Sequence, residues 1–106
     1  MSDTVKKFVL TVFTNPVAGR EEEYNKWYNE VHVPDVLRIP GFTAARRFKL
    51  GAEAESPHKY LAIYEFEATD PAIVLSALQA RAGTPDMVLS EGLDMSSLSM
   101  IPWAAI

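Results

Sequence analysis

One histidine in this sequence is placed where it can do chemistry. The segment YNKWYNEVHVPD, residues 24–35, sets Tyr24, Trp27 and Tyr28 at helical spacing and then brings His32, Pro34 and Asp35. An imidazole titrates near neutrality and serves as acid or base. Tyr28 precedes His32 by four residues, so on a helix the two side chains share a face. Such a pair can handle a proton and a phenol or enol oxygen of a substrate. The structural alternative is that His32 caps the helix end or bonds a backbone carbonyl. Asp35, across Pro34, is placed to orient the imidazole and stabilise its protonated form. It is equally suited to bonding the amides of its own short turn.

Tyr24, Trp27, Tyr28, Tyr60 and Tyr64 form an aromatic set, most of which packing alone would explain. A buried tyrosine hydroxyl, however, needs a partner that phenylalanine would not. Tyrosines on a helix and a strand that face each other therefore suit a pocket for an aromatic or polycyclic ligand. Tyr24, Tyr60 and Tyr64 are the binding candidates. Arg46 and Arg47 are neighbours on a strand and point to opposite faces. One of them can face a cavity and hold an enolate, phenolate or carboxylate. The other is solvated or crosses an interface. His58, beside Pro57 in a polar loop, reads as solvated.

Other chemistries lack their residues. The chain has no cysteine, so it has no disulfide, thiolate metal site or cysteine nucleophile. His32 and Asp35 alone fall short of a transition-metal ligand set, and no metal is expected. There is no glycine-rich phosphate loop, dinucleotide fingerprint or Ser-His-Asp nucleophile motif. No cofactor is expected; catalysis would rest on proton transfer and positioning. The net charge is −4 and basic residues occur at most in pairs, which disfavours nucleic acid and anionic membranes as partners. No stretch approaches the ~20 apolar residues of a membrane span. The polar start MSDTVKK has no apolar h-region. A soluble, cytoplasmic protein is expected.

The elements that must position these residues follow from pattern and punctuation. Residues 6–15 read as a strand, ended by Pro16 and Gly19. A helix runs from Arg20, with Glu21, Glu22 and Glu23 suiting its dipole and Tyr24, Trp27, Tyr28 and Val31 on one face. Pro34 disfavours helical geometry at Val33, so the helix is expected to end near His32. That exit would leave the imidazole at a cavity edge, titrating near neutrality, with Tyr28 lining the same cavity. Residues 34–39 form a short second turn with Pro34 at its first position. Residues 41–50 and 59–68 are strands around a polar loop at 51–58. Residues 69–83 are a helix with Asp70 as N-cap, Pro71 at N1 and Gly83 as C-cap candidate. Residues 84–92 are ambiguous, and 93–103 are the fourth strand.

The order is β-α-β-β-α-β, the split βαβ or ferredoxin-like arrangement, read as one domain over residues 1–106. Phe8, Leu10 and Val12 alternate with Val9 and Phe13, and Tyr60, Ala62, Tyr64 and Phe66 alternate with Leu61 and Ile63. Both sheet faces are therefore apolar, and two helices cover only one. A second copy of the chain is the economical cover for the other.

The sharpest segment is KWYNEVHVPDVLRIPGFTAARRF, residues 26–48. It resembles the EthD-like branch of the dimeric α+β barrel superfamily. There an aromatic helix ends in His-x-Pro, and Pro-Gly-Phe leads into a strand with arginine. Here these are His32-Val33-Pro34, Pro40-Gly41-Phe42 and Arg46-Arg47. The resemblance implies an α+β fold with a four-stranded antiparallel sheet, pairing into a dimeric α+β barrel. The superfamily holds cofactor-free monooxygenases, cyclases, isomerases and haem-binding enzymes, so fold does not settle function. The leading expectation is a cofactor-independent enzyme acting on an aromatic, polyketide-like or enolisable small molecule. The rivals are a non-catalytic small-molecule-binding or stress-associated barrel, and a haem protein with His32 as axial ligand.

Overall fold

The computed structural model describes residues 4–106; the first three residues of the span read as one domain lie outside the described residues. Strand β1 is Lys6–Pro16, β2 Phe42–Lys49, β3 Tyr60–Ala68 and β4 Leu93–Ala104. They form one antiparallel sheet in the order β2-β3-β1-β4. This is the ferredoxin-like α+β arrangement expected from the element order.

Alternation decides the faces. Leu10, Val12 and Thr14 of β1 point to one side with Tyr60, Ala62, Tyr64 and Phe66 of β3, and all are buried. The register pairs Leu10 with Tyr64 and Val12 with Ala62 and Met100. The helices cover this side. Helix α1 (Glu21–Trp27) contributes Tyr24 and Trp27, and α3 (Pro71–Arg81) contributes Val74 and Leu78 to the same core. Asp70 caps α3 by accepting from the Ala72 amide at 3.0 Å.

The helix does not end at His32. A wide π-helical turn, Tyr28–His32, joins α1 to α2 (Val33–Leu37), and the chain stays helical throughout. Val33 is helical despite preceding proline, with φ −58° and ψ −48°. The wide turn removes the expected conflict. The Val33 amide bonds the carbonyl of Tyr28, five residues back. Pro34 then falls in the first turn of α2, where a missing N–H costs nothing. Inserting a residue also moves the inward stripe. Val31, expected to face the core, is 41% exposed, while Val36 beyond the turn is buried. His32 takes the inward place.

Two departures from ideal geometry shape what lies beneath the helices. Gly41, at φ +107°, turns the chain from α2 into β2, and its carbonyl accepts from Glu67 at 2.8 Å. A Cβ there would lie 3.1 Å from both the Glu67 carbonyl and Val74. In β4 the ladder to β1 breaks: Phe13 pairs with Ser99 and Asn15 with Asp94, so residues 95–98 stand opposite Thr14 alone. Bulges of this kind re-aim side chains, often beside a site.

Candidate active site

The aromatic stripe of α1 ends in a three-ring contact. The His32 ring stacks on Trp27, with centroids 4.6 Å apart and planes 25° from parallel. It meets Tyr28 edge-on at 5.1 Å and 89°. Trp27 is fixed in turn, because its indole nitrogen donates to the Val88 carbonyl at 2.9 Å. Met87, beside that anchor, is fully buried. The ambiguous stretch at 84–92 is thus a structured loop clamped on the helix.

These rings border a cavity of about 270 Å³ between the helices and the sheet. Trp27, Tyr28 and His32 form its helical wall, and Thr14 and Tyr64 lie on the sheet side. Met87, Met95, Leu98 and Met100 add to the lining, two of them from the β4 bulge, and Leu78 and Gln79 of α3 also border it. Sequence reasoning missed Thr14 and the methionines. The signal was present: three of the four methionines in the chain cluster in its last quarter.

Two polar atoms at this cavity are buried and have no hydrogen-bond partner: Nδ1 of His32 and the hydroxyl of Tyr64. Buried polar groups are nearly always satisfied, so orphans call for an explanation. The Tyr28 hydroxyl is near enough to act on Tyr64 both by charge and as a hydrogen-bonding group, but the two do not reach the geometry of a formed bond. Desolvation pushes the Tyr64 phenol well above its usual range, and the Tyr28 phenol up to about 12. Desolvation likewise lowers His32 to about 4; Asp35 opposes this and Arg47 adds to it. An imidazole titrating near neutrality was expected. Removal from water overrides its neighbours, and the ring is uncharged at pH 7.

The other candidates lie elsewhere. Asp35 forms an ion pair with Arg38 and makes no hydrogen bond to the imidazole. Tyr24 is fully buried and shares a 2.5 Å hydrogen bond with Thr14. Tyr60 donates to Glu21 and accepts from Asn25 at 3.0 Å. The register separates the arginines: Arg47 pairs with Ala62 on the helix side, and Arg46 with Ile63 on the bare side. Arg47 lies 4.1 Å from the Tyr28 ring centroid and donates to Asn29 at 2.9 Å and Asn25 at 2.8 Å. His58 was expected to be solvated. Instead its Nε2 bonds the Ser97 carbonyl at 2.7 Å and its ring packs near Phe13. Among the described residues no three His, Cys, Asp or Glu side chains gather as a metal site, and no helix is long and apolar enough to cross a membrane.

The family described as a domain of unknown function, DUF4286, matches residues 7–72. The chain belongs to the DUF4286 family. The match takes in both His32 and Tyr64. No protein of curated function matches this DUF4286 chain at a significant level. Among solved structures, it resembles a candidate monooxygenase from Shewanella loihica PV-4, with TM-score 0.67 and 13% identity over 97% of each chain. It resembles a substituted MhuD holding two manganese protoporphyrin IX molecules per active site, with TM-score 0.63 and 17% identity over 93% of this chain and 94% of that one. It also resembles an EthD family protein from Bacillus halodurans C-125, with TM-score 0.61 and 15% identity over 95% and 99%. These likenesses agree with the EthD-like, ferredoxin-like fold expected for the DUF4286 chain.

Proposed function

We propose that the cavity is the active site of a cofactor-independent enzyme that moves a proton on an enolisable or aromatic small molecule. The two orphaned polar atoms carry this reading. The His32 nitrogen and the Tyr64 hydroxyl are buried without a well-formed hydrogen bond, on residues that line a mainly apolar space. A bound substrate supplies what they lack.

His32 is the base. It is neutral and needs no prior deprotonation. Its low basicity is a property of the empty cavity. When it takes a proton from substrate, an enolate or phenolate forms beside the new imidazolium, and their attraction in a low-dielectric site raises its basicity. The phenols of Tyr64 and Tyr28 are protonated at every pH of interest and donate to the developing oxyanion. Asp35, though paired with Arg38, favours the imidazolium through space. Arg47 holds Tyr28 in place from the ring face.

The likeness to MhuD raises a tetrapyrrole as the alternative ligand. The cavity does not fit one. At about 270 Å³ it is too small to enclose so large a ring system, and Trp27 covers a face of His32. A cytoplasmic homodimer, joined through the sheet face opposite the cavity, completes the proposal.

The test uses 2-tetralone, a bicyclic ketone with acidic C–H bonds. His32 would remove a proton from the carbon beside the carbonyl, leaving an enolate held by Tyr64, and return a deuteron from D2O. Wild-type protein should accelerate deuterium uptake at that carbon, as followed by NMR. His32→Gln, which keeps a hydrogen bond but cannot carry the proton, should not. Equal rates in the two proteins would remove the catalytic assignment.

A further inference from the structure

The walls of the cavity carry no formal charge. They offer aliphatic, aromatic, thioether, hydroxyl and amide groups, with one imidazole and no Asp, Glu, Lys or Arg. The Arg47 guanidinium reaches the same aromatic cluster but is already engaged. Its terminal nitrogens donate to Asn25 and Asn29, and the rings of Tyr24, Tyr28 and Tyr60 lie around it. A carboxylate or phosphate entering the cavity would lose its water and meet no counter-charge, which is costly.

The polar requirement is narrow. The unpartnered atoms are an imidazole nitrogen and a phenolic hydroxyl. One hydroxyl on a ligand can satisfy both, donating to the nitrogen while its oxygen accepts from Tyr64. Apart from Thr14, Gln79 and the Tyr28 hydroxyl the remaining wall is apolar, and Met87, Met95 and Met100 bring polarizable thioethers that adapt to flat rings.

We propose that the cavity takes an uncharged aromatic molecule of one or two fused rings bearing a single hydroxyl, seated between His32 and Tyr64, and rejects anions of the same size. This rests on the cavity being the ligand site argued above. It adds a selection by charge and by hydroxyl count.

Three probes of matched shape separate the possibilities: 2-naphthol, 2-methylnaphthalene and 2-naphthoate, titrated into the full chain at pH 7.5 and followed by NMR. We expect 2-naphthol to bind about tenfold or more tighter than either of the others, the size of one well-placed buried hydrogen bond. Tyr64→Phe should bring 2-naphthol down to the level of 2-methylnaphthalene and leave the hydrocarbon unchanged. This variant also removes an unsatisfied hydroxyl, so its melting temperature should equal or exceed that of the wild type; a fall would show that the hydroxyl has a partner, overturning the premise. Binding of 2-naphthoate as tight as that of 2-naphthol, or a naphthol preference that survives Tyr64→Phe, overturns the selection while the ligand site stands. Failure of all three to bind overturns both. Binding of 2-naphthol as expected, with no exchange on 2-tetralone, leaves the selection standing and removes only the catalytic step.

Discussion

A largely buried imidazole makes the folded chain acid-sensitive. His32 titrates at about 4 in the folded protein, against 6.5 when solvated. Between those values the unfolded chain binds a proton that the folded chain refuses, so stability rises with pH across this window. It is full above pH 6.5 and declines as pH falls toward 4, by about 3 kcal/mol from this residue. Denaturant titrations from pH 4 to 7.5 should show that decline in wild type and a shallower one in His32→Gln. Parallel curves would mean that the ring is charged in the fold. The pairing of Tyr28 with His32 was legible in the sequence, because four residues on a helix bring two side chains together. The neutrality of the ring was not. It depends on how much water the β4 bulge and the loop at 84–92 exclude, and neither leaves a local pattern. The arginine choice also needed structure. Adjacent strand residues face opposite ways, but only the register to Ala62 and Ile63 says which way is which.

At the scale of elements, the segment that matters is one continuous helical path with a wide turn in its middle. The four strands and the second long helix were legible, because period-two alternation and the Asp70-Pro71 start are strong local signals. The end of the first helix was not. Pro34 is a breaker in an ideal α-helix, and a π-turn absorbs it by shifting the hydrogen-bond pattern by one residue. That shift makes Val31 a surface residue and His32 a cavity residue. Trp27 is the piece that joins this path to the rest of the molecule. It is 9% exposed, bonds the loop at Val88 and supports the His32 ring. Trp27→Ala should cost ~3–5 kcal/mol, a large part of the ~5–15 kcal/mol total of a domain, and should release the 84–92 loop. The measurement is a melting curve together with hydrogen exchange at Met87 and Val88. Wild-type stability, or unchanged protection in the loop, would mean that the clamp is dispensable.

For the whole molecule, the consequential surface is the sheet face away from the cavity. Val9, Thr11 and Phe13 of β1 lie there beside Leu61 and Ile63 of β3, Phe48 of β2, and Ile101 and Trp103 of β4. Trp103 is 53% exposed, yet its indole nitrogen is satisfied inside the chain by Thr11 at 2.9 Å. Its polar atom is thereby spent and its hydrocarbon face is left outward, an arrangement that suits an apolar partner better than water. Arg46 and Glu65 put both signs of charge on the same face, as a patch that must match itself across a two-fold axis requires. Two such sheets would pack ~10 Å apart. We expect a homodimer in sedimentation at micromolar concentration. Trp103→Glu should yield a monomer with a native circular dichroism spectrum, because the residue makes no contribution to the helix-side core. It should also retain 2-naphthol affinity, since the cavity opens on the other side of the sheet. A wild-type monomer would refute the interface. A monomeric variant that loses the ligand would instead show that the cavity is shaped by the pairing, placing the two faces of the sheet under one constraint.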